Sequence, residues 1–138
     1  MYPAELVAPM KSELTGVGFK ELTTAQAVEE FMNSSNTGTT LLVVNSVCGC
    51  AAGAARPAIR EAVKNEKLPV HLVTVFAGVD TEATQKAREY TLPYPPSSPS
   101  MALFKDGKLV HFIERHQIEG NNAQTIADHL KKVFDHFC

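Results

Sequence analysis

The sequence predicts one α/β domain of three layers, in which helices cover both faces of a mixed central sheet. Residues 40–44 are a continuous apolar, β-branched run, as expected of a strand that is buried on both faces. Asp106-Gly107 separates two further apolar runs and is typical of a tight β-hairpin. Helical and strand patterns alternate between these two features, and crossover connections then place helices on both sides of the sheet.

Length and charge narrow the class of protein. A chain of 138 residues is close to the usual size of one domain, so we expect residues 1–138 to fold as a unit. The 13 Lys and Arg residues against 15 Asp and Glu residues leave no broad basic surface for nucleic acid. Neither a secretory signal nor an apolar stretch of membrane-spanning length is present. We expect a cytoplasmic protein that binds neither nucleic acid nor membranes.

Two helices are predicted before the first strand. The first has apolar residues at helical spacing after Pro3 and stops at the glycines of residues 16–18. The second begins with a capping box, Thr23 followed by Gln26, and ends at the polar residues 33–36. These helices are extra elements at the N-terminal side of the sheet.

The predicted central strand, residues 40–44, leads directly to two closely spaced cysteines. Cys48 and Cys50 stand at the start of an alanine-rich helix, residues 51–63, in which Pro57 should introduce a kink. The cysteines therefore lie at a helix N-terminus.

The next predicted strand and helix cover residues 70–76 and 81–90, with Asp80 as the helix cap. Residues 93–100 are rich in proline and serine and form one structured loop. A hairpin follows, and Asn121 or Asn122 caps a last helix. The apolar face of that helix consists of Ile126, Leu130, Val133, Phe134 and Phe137.

The pair Cys48-Gly49-Cys50 points to thiol–disulfide exchange. A thiolate is the attacking species, and the unpaired NH groups and positive dipole of a helix N-terminus favour it. Cys48 lies nearer the junction with the strand, so we assign attack to Cys48 and resolution of the mixed disulfide to Cys50. Gly49 widens the set of backbone conformations in which sulfurs two residues apart can be joined.

Two other interpretations of the cysteine pair stay open. The thiols could be small core residues, or they could form a metal-binding or carrier module. A closed zinc site needs four ligands, and no second cysteine pair accompanies the first. His136 and Cys138 could supply further ligands, although Cys138 could equally be a bystander at the chain end. The five histidines, His71, His111, His116, His129 and His136, show no metal-ligand spacing.

Arg56 and Arg60 are four residues apart on the helix that follows the cysteines. They could attract an anionic thiol adduct, and a solvated helix face would explain them equally well.

The segment from Pro99 to Gly107 resembles the part of thioredoxins that runs from the cis-proline through a strand to a hairpin turn. This resemblance implies a thioredoxin-like fold and a cis peptide bond before Pro99. It also implies that Ser98 and Pro99 face the cysteines and contact the substrate, whose extended backbone can pair with this loop.

More specifically, residues 45–53, 94–100 and 111–113 resemble the bacilliredoxin family, and the resemblance covers nearly the whole chain. Members have a thioredoxin-like fold with a CGC motif and remove bacillithiol from S-bacillithiolated proteins in the cytosol. The resemblance implies that Cys48 takes up bacillithiol as a mixed disulfide and that Cys50 expels it.

Bacillithiol is then the substrate or reductant, S-bacillithiolated proteins are the partners, and no bound cofactor or metal is needed. Gly49, Ser98 and Pro99 are the expected substrate contacts. The spacing of the cysteines does not separate this substrate from other disulfides, and a disulfide isomerase activity is open to any such dithiol.

Overall fold

A computed structural model describes residues 2–34 and 37–138 and confirms the predicted α/β fold. These residues form five strands: β1 (Lys20–Glu21), β2 (Thr39–Asn45), β3 (His71–Phe76), β4 (Ser100–Lys105) and β5 (Lys108–Ile113). They also form six α-helices: α1 (Ala4–Thr15), α2 (Ala25–Ser34), α3 (Arg56–Ala62), α4 (Thr81–Glu89), α5 (Arg115–Glu119) and α6 (Ala123–Phe137). The strands build one mixed sheet in the order β1-β3-β2-β4-β5.

The strand β2 is the centre of the sheet, as predicted. It runs parallel to β3 and antiparallel to β4, and all of its residues are buried. Leu41 and Val43 belong to a core formed with α1, α3, α5 and α6 on one face. Leu42 and Val44 belong to a second core formed with α2 and α4 on the other face. The three predicted layers are therefore present, because successive side chains of a strand point to opposite faces.

Two short elements were missed by the sequence analysis. The strand β1 has two residues and pairs in parallel with Val73 and Thr74 of β3, so the second N-terminal helix follows a strand. The helix α5 has five residues and begins with a capping box: the Gln117 side chain accepts a hydrogen bond from the Glu114 NH, and the Glu114 side chain accepts one from the Gln117 NH. Both elements are too short to show a periodic pattern.

One predicted helix cap is wrong, and another stands at the predicted residue without a capping hydrogen bond from its side chain. The cap of α2 is Thr24, whose Oγ1 accepts from the Ala27 NH at 3.0 Å, while Gln26 donates to Glu30. Asp80 is the N-cap residue of α4, as predicted, but its carboxylate accepts from Lys11 Nζ at 2.9 Å and makes no hydrogen bond to an NH group of the helix. Lys11, which is distant in the sequence, competes with the helix NH groups for the Asp80 carboxylate. The predicted stop of α2 lies partly outside the described residues.

The cap of α6 is Asn122, whose side chain accepts from the Thr125 NH at 2.8 Å. The hairpin between β4 and β5 is also confirmed. Asp106 and Gly107 have φ angles of 50° and 82°, as the predicted two-residue turn requires.

The helix predicted after the cysteines is irregular before Pro57. Its first five residues, Ala51–Ala55, form a π-helical turn, and α3 continues from there. Pro57 is the second residue of α3 and has no NH to donate to the π-helical turn that precedes it. A widened helical turn therefore lies directly behind the cysteines, at the position where a kink was predicted.

Candidate active site

Cys48 begins the helical segment at the end of β2. Its carbonyl accepts hydrogen bonds from the NH groups of Ala51 and Ala52, both at 3.1 Å. The central strand ends three residues earlier, at Asn45. The chain therefore turns from the buried strand into a helix at the cysteine pair, as the sequence predicted.

The two sulfurs of the pair lie side by side. Cys48 Sγ and Cys50 Sγ are 2.7 Å apart, and both side chains are half-buried free thiols. Ser46 Oγ lies 3.2 Å from Cys48 Sγ. The pair thus combines access from solvent with the proximity that exchange between two sulfurs needs.

Their surroundings shift the two thiol pKa values in opposite directions. Burial raises the pKa of Cys48, but hydrogen bonds from Cys50, from Ser46 and from the backbone NH groups of Ala51 and Cys50 outweigh it, so the pKa is lowered. Burial, the hydrogen bond to Cys48 and the charge on Cys48 raise the pKa of Cys50, against the opposing charge of Arg115. This asymmetry supports the assignment of Cys48 as nucleophile, because the thiolate attacks.

Arg56 fixes the loop that carries Cys48, and both sequence-based hypotheses for it are wrong. The residue is 2% exposed, so it lies on no solvated face and cannot reach an adduct. Its Nη1 donates to Asn45 Oδ1 at 3.0 Å and to the Ser46 carbonyl at 2.7 Å, and its Nε donates to Glu13 Oε2 at 3.1 Å. Arg56 was missed as a structural residue because its partners are distant in the chain.

Arg60 is exposed and donates from Nη1 to the Glu13 carbonyl at 2.9 Å. It does not line the cleft at the cysteines. A solvated helix face explains its exposure.

An open cleft of about 230 Å³ leads to Cys48. Cys48 and Ser98 line it together, so the structure brings the cysteine loop, residues 45–50, and the proline loop, residues 93–100, to one site. The peptide bond between Ser98 and Pro99 is cis, and Pro99 is buried behind Ser98. A second cis bond, before Pro93, was not anticipated. The other lining residues are Tyr2, Ser46, Val47, Ala77, Gly78 and Arg115.

Arg115 is a functional candidate that the sequence analysis missed. It is the first residue of α5, and its Nη1 donates to the Ser98 carbonyl at 3.3 Å. Its Nε donates to Glu119 Oε2 at 3.3 Å, and its backbone NH donates to Ser97 Oγ at 3.4 Å. No motif marks this position, since its proximity to the cysteines depends on the path of the chain after β5.

Gly49 is exposed and does not need to be glycine in the reduced protein. Its φ lies outside the left-handed region, and a Cβ atom added there would meet nothing within 4 Å. In the dithiol state Gly49 therefore does not adopt a backbone conformation that only glycine can reach. Its exposure leaves this part of the surface open beside the cysteines.

Two histidine side chains are in contact outside this site. His111 Nε2 and His129 Nε2 are 2.9 Å apart. Burial and the nearby charge of His129 lower the pKa of His111.

Cys138 is exposed at the chain end. Within residues 2–34 and 37–138, no three His, Cys, Asp or Glu side chains come together as ligands for one metal ion. None of the helices in these same ranges is both long enough and apolar enough to cross a membrane.

Comparison with solved structures identifies the fold. A thioredoxin from Schistosoma mansoni superimposes with a TM-score of 0.61 at 17% identity, covering 88% of this chain and 97% of that one. The oxidised mitochondrial thioredoxin 3 from Saccharomyces cerevisiae gives a TM-score of 0.59 at 20% identity, covering 91% and 99%. The chain has a thioredoxin-like fold.

Sequence comparison identifies the family. A family model described as disulphide isomerase matches residues 2–138. A protein named bacilliredoxin from Cytophaga hutchinsonii is 66% identical over 135 residues, covering 98% of both chains. Another bacilliredoxin, from Bacillus cereus, is 57% identical over 138 residues, covering 99% of this chain and 95% of that one. Together with the fold, these relatives support a thiol–disulfide oxidoreductase. The chain belongs to the bacilliredoxin family.

Proposed function

We propose that this oxidoreductase reduces mixed disulfides between bacillithiol and protein cysteines. The observation that carries the proposal is the pair of free thiols 2.7 Å apart, with opposite pKa shifts, of which Cys48 lines an open cleft. The names of the relatives favour bacillithiol as the small thiol. S-bacillithiolated proteins are then the partners, and the cytoplasm, where thiols stay reduced, is the fitting compartment.

The first step is attack by Cys48. Its thiolate displaces the protein thiolate from the bacillithiol sulfur, so the mixed disulfide of the substrate breaks and one between Cys48 and bacillithiol forms. The departing protein thiolate takes up a proton. The lowered pKa of Cys48 supplies the nucleophile for this step.

The second step is resolution by Cys50. Its thiolate attacks the Cys48 sulfur, releases bacillithiol as a thiolate and leaves a disulfide between Cys48 and Cys50. In the mixed disulfide Cys48 carries no charge, so the negative charge that raises the pKa of Cys50 is gone. The dithiol has supplied two electrons, and bacillithiol or a reductase must restore it.

Residues on both sides of the sulfurs are the proposed substrate contacts. Gly49 is exposed beside the thiols, so the target protein can approach without meeting a side chain. Ser98 lines the same cleft as Cys48 and is joined to Pro99 by a cis peptide bond. An extended segment of the target can pair with this loop by strand addition.

Variants of the two cysteines test the proposal. The Cys50→Ser protein should accumulate an adduct of one bacillithiol on Cys48 when given an S-bacillithiolated protein, whereas Cys48→Ser should lose turnover. Intact-mass spectrometry measures the adduct, and Cys138→Ser is the matched control that should keep full turnover. If Cys50→Ser captures nothing while the native dithiol binds zinc or copper tightly, the metal-binding alternative is correct and the proposal is wrong.

The description of the family model favours a second activity, disulfide isomerisation. Cys48 can attack a non-native protein disulfide and be released by another thiol of the same substrate, with no net change in redox state. This route does not need Cys50. A Cys50→Ser protein that refolds a scrambled disulfide substrate at the native rate would support it, and loss of refolding in that variant would exclude it.

A further inference from the structure

We infer that Arg115 binds an anionic group on the small-thiol half of the mixed disulfide and so determines which thiol is accepted. The inference rests on the proposed reduction of mixed disulfides. It starts from the cleft at Cys48, in which Arg115 is the one positively charged side chain among the described lining residues. A thiol bonded to Cys48 would lie in this cleft and meet that charge.

The position of the guanidinium is fixed by the protein. Nε is bound to Glu119, and Nη1 is bound to the Ser98 carbonyl. A guanidinium has five N–H donors, and these two contacts leave Nη2 available to a ligand. The side chain is 45% exposed, so an incoming anion can reach it. An arginine held in this way offers the geometry that a carboxylate or similar anion accepts.

Charge at the site agrees with this assignment. Glu119 and the two cysteine sulfurs all raise the pKa of Arg115, which shows that the guanidinium lies within electrostatic reach of both thiols. Once Cys48 is in a mixed disulfide, its thiolate no longer serves as a partner for Arg115. An anion carried by the bound thiol can replace that lost charge. A neutral or cationic thiol cannot replace the negative charge of the Cys48 thiolate.

The other two arginines near the cysteines do not offer this contact. Arg56 is sealed in the core with three partners, and Arg60 does not line the cleft. Arg60 is exposed on the same side of the sheet, in the helix α3, and therefore provides a matched control for the loss of one surface charge.

The test uses three mixed disulfides of one reporter peptide. The small thiol is 3-mercaptopropionate, an anion, 2-mercaptoethanol, which is neutral, or cysteamine, a cation. The native protein should reduce the anionic substrate with a kcat/KM about 5-fold above that of the neutral one, as one partly exposed charge-assisted hydrogen bond allows. Arg115→Gln should abolish this preference through KM, Arg115→Lys should retain part of it, and Arg60→Gln should leave it intact.

Each failure has a distinct meaning. If Arg115→Gln keeps the preference for the anionic thiol, the inference is wrong while the reduction of mixed disulfides stands. An equal loss on all three substrates also overturns it, because Arg115 would then act on Cys50 or on the fold. If the native protein reduces none of the three substrates and no bacillithiol disulfide, the proposed function itself is wrong.

Discussion

In each of the two loops that line the cleft, an arginine side chain donates a hydrogen bond to a serine carbonyl. One of these arginines is buried and the other is exposed. In the cysteine loop, residues 45–50, buried Arg56 donates to the Ser46 carbonyl at 2.7 Å. In the proline loop, residues 93–100, Arg115 donates to the Ser98 carbonyl at 3.3 Å. The side chain of Arg56 is 3% exposed and that of Arg115 is 45% exposed.

Arg56 and Arg115 are the same type of residue, so it is the difference in burial that gives them different roles. Arg56 donates to Asn45, Ser46 and Glu13 and does not line the cleft. Arg115 keeps donors available to a ligand. Arg56 holds the loop that carries Cys48, and Arg115 lines the cleft, where it can contact a ligand.

The largest expected effect is a loss of stability in Arg56→Met. The Asn45 amide and the Ser46 carbonyl would lose a buried donor, and we expect the free energy of unfolding to fall by about 2–4 kcal/mol. Arg115→Gln should cost less than about 1 kcal/mol, because its partners remain hydrated. Urea unfolding of the reduced proteins measures both values. Equal losses would erase the distinction between the two loops.

A smaller effect is expected for Ser46→Ala in the cysteine loop. The bond from Ser46 Oγ lowers the pKa of Cys48, so its removal should raise that pKa and slow alkylation of Cys48 at neutral pH by about 5-fold. The pH profile of iodoacetamide alkylation, read by peptide mass spectrometry, gives the midpoint for each cysteine.

In the native protein the Cys48 midpoint should lie below the Cys50 midpoint, since the two pKa values are shifted in opposite directions. Ser12→Ala, a change at an exposed serine of α1, is the control and should leave both midpoints in place. A Cys50 midpoint below that of Cys48 would reverse the assignment of attack and resolution.

The smallest expected effect is that of Gly49→Ala. Its backbone conformation suits any residue and the added methyl meets nothing, so the stability of the reduced protein should change by less than about 1 kcal/mol. Gly107→Ala, at a φ of 82°, is the matched control and should be destabilising by about 1 kcal/mol. A large loss in Gly49→Ala would mean that the cysteine loop depends on glycine after all.

Local patterns were sufficient for the elements that build the site. The apolar run of β2, the Asp106-Gly107 turn and the Asn122 cap each have a signal within a few residues, and each was found. The position of Cys48 and Cys50 between a buried strand and a helix was predicted for the same reason, because their spacing and their place after the apolar run are visible in the sequence.

The rest of the site depends on contacts between distant residues. Arg56 meets Glu13 across 43 positions, and Arg115 meets Ser98 across 17. No periodic or capping pattern encodes such contacts, so one arginine was assigned a wrong role and the other was overlooked. Asp80 shows the same effect, since Lys11 competes for the carboxylate that was expected to cap a helix.

The ties between α1 and the cysteine loop have a practical consequence for truncation. Glu13 is the counter-ion of Arg56, and the Met10 carbonyl accepts from Asn45 Nδ2 at 3.3 Å. A shortened protein that began at β1 would leave a buried guanidinium without its negative partner, at the residue that donates to the Ser46 carbonyl in the cysteine loop. The N-terminal helix is thus part of the redox apparatus, and a fusion tag should be attached at the opposite end of the chain.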